Sequence, residues 1–324
     1  MTHAIRIHQA GDADQLSWDQ IEVGDPGPGQ VRLRQTAIGL NFIDVYMRTG
    51  LYPIAEYPAV LGMEAAGVVE AVGDDVDEFT VGDRVAYCMN PGAYAETRIS
   101  PAEKLVALPD AIADNTAAAM MLKGMTAHYL LFRTYPVQPG DAILVTAAAG
   151  GVGLILCQWA KALGATVIGC VGSTEKGELA RANGADHTIL YRDEDIAERV
   201  RDITGGVGVA ASYDSVGQAT FEASLDSLRP FGVLATYGNA SGPVEPFSPG
   251  ILAPKGSLYV TRPTLATHTA TRELMLEGAE RLFDAVSSGK VSISVNQTYP
   301  LAETAQAHRD LEARKTTGST VLLP

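Results

Sequence analysis

The 324 residues include 24 Lys and Arg against 38 Asp and Glu, a formal net charge of −14, with 46% hydrophobic and 19% charged residues. This is a folding rather than a disordered composition, long enough for two ordinary domains or one large one. The acidic balance provides no general field for nucleic acid or anionic lipid, and leaves room only for a local basic pocket that takes one phosphorylated ligand.

Cys88, Cys157 and Cys170 are dispersed and form no CxxC pair, as expected of buried thiols in a reducing compartment. The opening stretch "MTHAIRIHQAGDADQL" has no signal-peptide core, so a cytoplasmic location is expected. In chain order, "DPGPGQVRLRQTAIGLN", "AAGVVEAVGDDV" and "VGDRVAYCM" are short apolar runs broken by Gly, Pro and Asp. They predict an antiparallel, barrel-like β domain with irregular loops. From Asp141 the pattern alternates: strand "AILVTA", helix "GVGLILCQWAKALG", strand "ATVIGCV", helix "EKGELARAN", strand "HTILY", helix "DEDIAERVRDIT", strand "VAASYDSV". A helix over "ATFEASLDSLRP" and strands "GVLATYG" and "GSLYVT" complete the series. Near-continuous apolar strands joined by helices predict an α/β, doubly wound parallel sheet covered on both faces. The uncharged window between Asp141 and Lys161 therefore reads as buried strand, turn and helix rather than a membrane span. Beyond it come an amphipathic helix "TATRELMLEGAERLFDAVSSG", a strand through "ISVNQTYPL", a helix "AETAQAHRDLEAR" and a terminal strand "STVLLP".

The turn between the first strand and helix of the alternating region is Ala148-Ala149-Gly150-Gly151-Val152-Gly153. It is the GxGxxG dinucleotide fingerprint with alanine at the first small position. Gly150 lets backbone approach a pyrophosphate, the N–H groups of Gly151 and Val152 at the helix N-terminus face the anion, and Gly153 brings helix close to sheet. NAD sites place an acid after the second strand, to accept from the ribose 2′-hydroxyl. Here Gly172, Ser173 and Thr174 stand in its place, with Lys176 nearby and Tyr191 closing the third strand. Ser173 and Lys176 can bind a 2′-phosphate that a carboxylate would repel, while Glu175, in the first helical turn, faces solvent. The expected cofactor is NADPH.

With these motifs in place the chain resembles the NADPH:quinone oxidoreductases, the zeta-crystallin-like branch of the medium-chain dehydrogenase/reductase superfamily. The resemblance rests on the string from Gly140-Asp141 through the glycine turn to Gln158 and Lys161. "GLNFIDVYMRTGLYP", "LKGMTAHYLL", "YDSVG", "YGNASG" and "GSLYVTRP" extend it over essentially the whole length. It implies a discontinuous GroES-like catalytic domain, residues 1–123 and 265–324, and a Rossmann domain, residues 124–264, with the active site in the cleft between them. In the zinc dehydrogenases of the superfamily a Cys opens the segment corresponding to "NFIDVY", and a His precedes the Glu of GHExxG. Asn41 and Met63 stand there in this chain, and neither is a good zinc ligand, so no metal is expected.

Without a Lewis acid, hydride must go to an acceptor already activated by conjugation, and the protein's task is to orient two flat rings. The resemblance implies Asn41, Tyr46, Tyr52 and Tyr129 as the residues around the acceptor, Tyr46 and Tyr52 lying in a loop-rich, glycine-punctuated stretch. It implies cofactor contacts at Thr126 and Ser215, and at Tyr237, Gly238, Asn239, Ser241, Arg262 and Thr264, which follow strand ends. Asp44 either buttresses its loop or takes part in the site. Lys123, at the start of the helix entering the cofactor domain, either faces the cleft or is solvated. Arg314 either reaches the cofactor phosphates or pairs on the surface with Glu312 or Asp310. His128, His187, His268 and His308 form no spaced cluster and receive no chemistry.

The expected function is a metal-free NADPH-dependent quinone reductase, with an enone or enal reductase on the same scaffold as the alternative. From another class, a non-catalytic crystallin-like or RNA-binding NADPH protein has the acidic charge and the intact "NFIDVY" and "GLYP" segments against it. No nucleic acid or membrane partner is expected. "GSLYVT" predicts an edge strand through which a homodimer forms.

Overall fold

The computed structural model describes residues 2–324, which fall into two compact units: residues 2–125 with Thr269–Ser287 and Ile293–Pro324, and Thr126–His268 with Ser288–Ser292. In chain order the first unit contains β1 (Thr2–Ile7), β2 (Ser17–Ile21), β3 (Gln30–Leu40), α1 (Phe42–Arg48), β4 (Ala59–Val60), β5 (Glu64–Val72), β6 (Arg84–Cys88), β7 (Thr97–Pro101), β8 (Val106–Ala107) and most of α2 (Asp114–Tyr129). β1 lies between β2 and β4, antiparallel to both. β3 pairs antiparallel with β5 and β7, and β5 with β6, placing Val31, Leu33, Ile38, Val69, Val85 and Tyr87 in one buried cluster. The largely antiparallel β domain matches the expectation, although β1 and β2 had not been anticipated. Helix α2 starts at Asp114, so Lys123 is a mid-helix residue and not the beginning of one.

The second unit carries β9 (Ala142–Val145), α3 (Gly151–Ala162), β10 (Thr166–Val171), α4 (Thr174–Ala182), β11 (His187–Leu190), α5 (Ile196–Ile203), β12 (Val209–Asp214), α6 (Phe221–Asp226), β13 (Leu228–Thr236), β14 (Tyr259–Thr261) and α7 (Leu265–His268). Its six strands are all parallel, in the order β11-β10-β9-β12-β13-β14. The chain winds outward from β9 in both directions, which makes the β9–β12 boundary the point where an open α/β sheet takes its ligand. The predicted helix over 219–230 stops at Asp226, and Leu228–Pro230 open β13 instead. Pro230 disfavours helix at Arg229, and the ladder to β12 shifts register there. The run "GSLYVT" ends in β14, which is the edge strand, with Tyr259 60% exposed.

The tail supplies α8 (Arg272–Ser287), β15 (Val295–Pro300), α9 (Thr304–Glu312) and β16 (Ser319–Leu323). β16 pairs antiparallel with β3 and parallel with β15, so the last strand completes the sheet of the first unit.

Candidate active site

Asn41 caps α1, and the local sequence Asn-Phe-Ile-Asp explains why: the Asn41 N–H donates to Asp44 Oδ2 at 2.8 Å. The Asn41 side chain also faces the Asp44 N–H in a capping box, and its Nδ2 donates to Glu64 Oε1 at 2.8 Å. Lys123 Nζ donates to the same oxygen at 2.7 Å, and the Leu122 N–H to Glu64 Oε2 at 2.6 Å. Glu64 is fully buried and Lys123 nearly so. Lys123 is thus neither solvated nor free to reach out: it is held in a buried ion pair. Gly39 makes the crossing possible, because a Cβ there would collide with Glu64 Oε1 and the Ala118 carbonyl.

Asp44, also fully buried, accepts a second hydrogen bond on Oδ2 from the Tyr94 hydroxyl at 2.8 Å, while its Oδ1 has no hydrogen-bond partner. Burial pushes its carboxyl up to about 7, against the hydrogen bonds from Tyr94 and the Asn41 N–H. Tyr94 OH also lies 3.1 Å from His308 Nε2, and His308 Nδ1 lies 3.3 Å from Arg48 Nη1. A guanidinium only donates, so Nδ1 accepts and Nε2 carries the ring proton. Burial, assisted by the Arg48 charge, lowers His308 to about 3, which keeps it neutral. Arg48 completes the chain with two hydrogen bonds to the Glu312 carboxylate. Asp44 is thus hydrogen-bonded into the N-terminus of α1.

Tyr46 does not lie in a loop. It is on α1, 8% exposed, with its ring edge-on to Tyr52 at 5.3 Å; the Tyr52 N–H donates to the Tyr46 carbonyl at 3.0 Å. Helix α1, set by the Asn41 cap, thus carries Asn41, Asp44 and Tyr46 together and holds Tyr52 beside them.

In the second unit, the turn after β9 has almost no side chains. Ala148 N–H donates to the Cys170 carbonyl, Gly150 caps α3 with extended backbone, and Ala147 takes a left-handed φ of 49°. A Cβ on Gly153 would run into the Ala147 carbonyl oxygen and come within 2.8 Å of the Ala148 backbone. One on Gly150 would stand 3.2 Å from that oxygen. Gly151 and Val152, half-buried, form the first turn of α3, whose N–H groups have no intrahelical partner. After β10, Ser173 caps α4 by accepting from the Lys176 N–H at 3.4 Å. Gly172 lies against Tyr191, 2.9 Å from the hydroxyl to a Cβ built on the glycine. Gly172, Ser173, Lys176 and Tyr191 are all half-buried and form one group, with Glu175 exposed as expected.

At the ends of β12 and β13, Asp214 is fully buried and gathers five donors. These are the hydroxyls of Thr146, Thr220 and Ser224 and the N–H groups of Val216 and Gly217. Ser215 N–H donates to Thr146 Oγ1 at 3.0 Å, and a Cβ on Gly238 would strike the Ser215 carbonyl. Ser241 is used within these loops: its hydroxyl donates to the Val216 carbonyl and accepts from Ala219 N–H. Arg262 donates to the Thr236 and Gly238 carbonyls, and with the Asn239 amide turned to suit its neighbours also to that amide's oxygen. Tyr237 is half-buried with its hydroxyl enclosed, and burial raises that hydroxyl well above the usual value. Tyr129, 3% exposed at the end of α2, stacks on His268 at 4.4 Å, and Thr126 is buried on the same helix. Thr264 Oγ1 accepts from Thr267 N–H at the start of α7. Arg314 is exposed with a left-handed φ of 59°.

Sequence reasoning missed Glu64, Tyr94, His308 and Asp214. Glu64 had a signal, since it is the Glu that GHExxG keeps when its His is replaced. The cysteines are free and buried, and burial pushes the Cys157 thiol up to about 12. Among the described residues no helix is long and apolar enough to cross a membrane, and no three His, Cys, Asp or Glu residues are grouped as a metal site would require.

Residues 27–110 match the family described as "Alcohol dehydrogenase GroES-like domain", and residues 151–285 the family described as "Zinc-binding dehydrogenase". The chain is 52% identical to a quinone oxidoreductase of Pseudomonas aeruginosa, covering 100% of both chains. It is 51% identical to a 2-haloacrylate reductase of a Burkholderia species, covering 100% of this chain and 99% of the other. A crystal structure of Escherichia coli quinone oxidoreductase complexed with NADPH superposes with a TM-score of 0.97 at 46% identity, covering 99% of this chain and 100% of that one.

Proposed function

This chain belongs to the quinone oxidoreductase family of the medium-chain dehydrogenase/reductase superfamily, and on that premise we propose that it transfers hydride from NADPH to a quinone. The observation that carries this reading is the cradle between β9 and α3, where any Cβ on Gly153 meets backbone, followed after β10 by Gly172 and Ser173 in place of a carboxylate. These residues fit a dinucleotide with a 2′-phosphate. NADPH, when bound, supplies the hydride from its nicotinamide ring. Gly150, Gly151 and Val152 present backbone to the pyrophosphate at the head of α3, with Ala148 beneath. Ser173 and Lys176 hold the 2′-phosphate, with Tyr191 closing that pocket. Ser215, Gly238, Asn239, Thr264 and Thr126 border the remainder, Tyr237, Ser241 and Arg262 keep the loops in shape, and Arg314 reaches toward the phosphates.

Asn41 and the rings of Tyr46, Tyr52 and Tyr129 orient the flat acceptor, and water supplies the one proton that, with the hydride, completes the hydroquinone. Orientation is the larger part of the work, since a misplacement of about 1 Å can cost ~100-fold in rate. The residue types at Asn41 and Met63 call for no zinc. We further infer a cytoplasmic homodimer joined along β14, an exposed apolar edge that pairing would remove.

The 2-haloacrylate reductase relative favours a second reading, in which the acceptor is a conjugated alkene, since both reactions deliver hydride to an electron-poor conjugated system. NADPH oxidation followed spectrophotometrically against quinones, enones, enals and 2-haloacrylates separates them. The expected result is the highest kcat/KM with quinones. Turnover confined to alkenes replaces the first reading by the second, and no turnover with any acceptor removes both.

A further inference from the structure

The amide of Asn41 can bind an acceptor in two senses, presenting either N–H or C=O, and the pocket needs one of them. The buried carboxylate behind it removes the choice. Glu64 Oε1 receives an Asn41 Nδ2–H at 2.8 Å, and a carboxylate with two engaged oxygens has no proton to offer in return. Turning the amide over would set Asn41 Oδ1 against Glu64 Oε1, acceptor against acceptor in a buried site. Glu64 is itself held from two further directions, by Lys123 Nζ at 2.7 Å and by the Leu122 N–H at 2.6 Å. It reaches α2 only because position 39 carries no Cβ. A buried ion pair is weak evidence for stability, because apolar residues of similar volume commonly do as well. What a charged, fully engaged acceptor adds is direction.

We infer that Glu64, held by Lys123 and by the helix amide of Leu122, is a positioning residue that, with the capping box of α1, fixes the sense of the Asn41 amide, so that its second N–H faces the acceptor in one orientation only. The inference rests on the proposed role of Asn41 beside the acceptor. It makes Lys123 a part of the acceptor side of the reaction, acting through Glu64.

The test is a double-mutant cycle between Glu64→Gln and Asn41→Ala, read by steady-state turnover of a quinone and by the side-chain amide signals of protein labelled with 15N-asparagine. Glutamine can donate as well as accept, so it no longer enforces the sense. Glu64→Gln should lower kcat by about tenfold or more while KM for NADPH stays within about twofold. In the Asn41→Ala background the same change should cause almost no further loss. The Asn41 amide pair, identified by its absence in Asn41→Ala, should shift in Glu64→Gln whatever the acceptor proves to be. Because Glu64→Gln leaves the Lys123 charge buried without its partner, Glu64→Gln/Lys123→Met serves as the neutral companion. It should melt near the parent temperature and keep the low kcat. Equal losses from Glu64→Gln with and without Asn41, or unmoved Asn41 amide signals in a folded variant, overturn the inference. Asn41→Ala at parental turnover with shifted amide signals in Glu64→Gln overturns instead the role of Asn41 at the acceptor, and with it the mechanistic consequence.

Discussion

Around Gly153 the protein presents backbone with side chains stripped away, whereas around Asn41 it buries Glu64, Lys123, Asp44, Tyr94 and His308 in a hydrogen-bonded lattice. The difference fits what each region is proposed to hold. An anionic pyrophosphate is satisfied by oriented N–H groups at close range, so the best side chain is none. A neutral conjugated acceptor offers only one or two weak acceptor atoms and a flat face, so it must be met by side chains whose direction is fixed from behind. Substitutions that insert bulk should therefore be ruinous in the first region, and substitutions that change charge or proton inventory should tell in the second.

The largest effect expected is from Gly153→Val. Its Cβ runs into the Ala147 carbonyl and the added methyls have nowhere to go, so NADPH affinity should drop by more than ~100-fold, about 2.7 kcal/mol. Calorimetric titration of the folded variant measures this, and parental affinity would mean that the turn does not carry the cofactor.

Next comes Asp44. Burial holds its carboxyl at about 7 in the folded chain against the usual 3.8, so between those values the folded protein keeps a proton that the unfolded chain has released. That proton favours the folded state at low pH, and the advantage fades as pH rises from about 4 through 7, where a bare carboxylate is buried. Asp44→Asn carries no such titration. Its stability relative to the parent should improve by about 3 kcal/mol or somewhat more from pH 4 to pH 8. Urea midpoints at both pH values read it, and superimposable pH dependences would show that Asp44 ionises as an ordinary carboxyl.

Lys176→Ala sharpens the comparison within the cofactor region, where one side chain is asked to act. NADPH should bind the parent at least tenfold more tightly than NADH, about 1.4 kcal/mol, and the substitution should remove most of that preference while leaving NADH affinity nearly unchanged. Equal loss for both cofactors would move the lysine away from the 2′-phosphate. The smallest effect is expected from Tyr52→Phe, which keeps the ring that meets Tyr46 edge-on. Quinone turnover within about threefold of the parent would leave the ring sufficient, whereas a loss of two orders would make the hydroxyl a proton donor.

The same contrast decides what could be read from the chain alone. The glycine turn, the missing acid after β10 and the parallel sheet are local: each depends on neighbours within a few positions and on the two periodicities of helix and strand. The lattice behind α1 is not. Asn41 and Glu64 lie 23 positions apart, Asp44 and Tyr94 50, and Tyr94 and His308 214, so nothing in the local pattern connects them. The ion pair of Lys123 was illegible for the same reason: its partner is on β5, and only the fold brings the two together. Where local cues competed, the stiffer one prevailed. Pro230 ended α6 early although "SLRP" continues an apolar helical rhythm.

Asp214 ties the end of β12 to five donors drawn from residues 146 to 224, and so cross-links the loops that follow β9 and β12 before any ligand arrives. Loops of this kind ordinarily lose conformational freedom when a ligand orders them, at roughly 1–2 kcal/mol for each backbone residue fixed. Here that entropy has already been surrendered during folding. Cofactor association should accordingly be quick and accompanied by little ordering of these loops. The amide hydrogens of Val216 and Gly217 should exchange with solvent as slowly in the empty protein as in the loaded one.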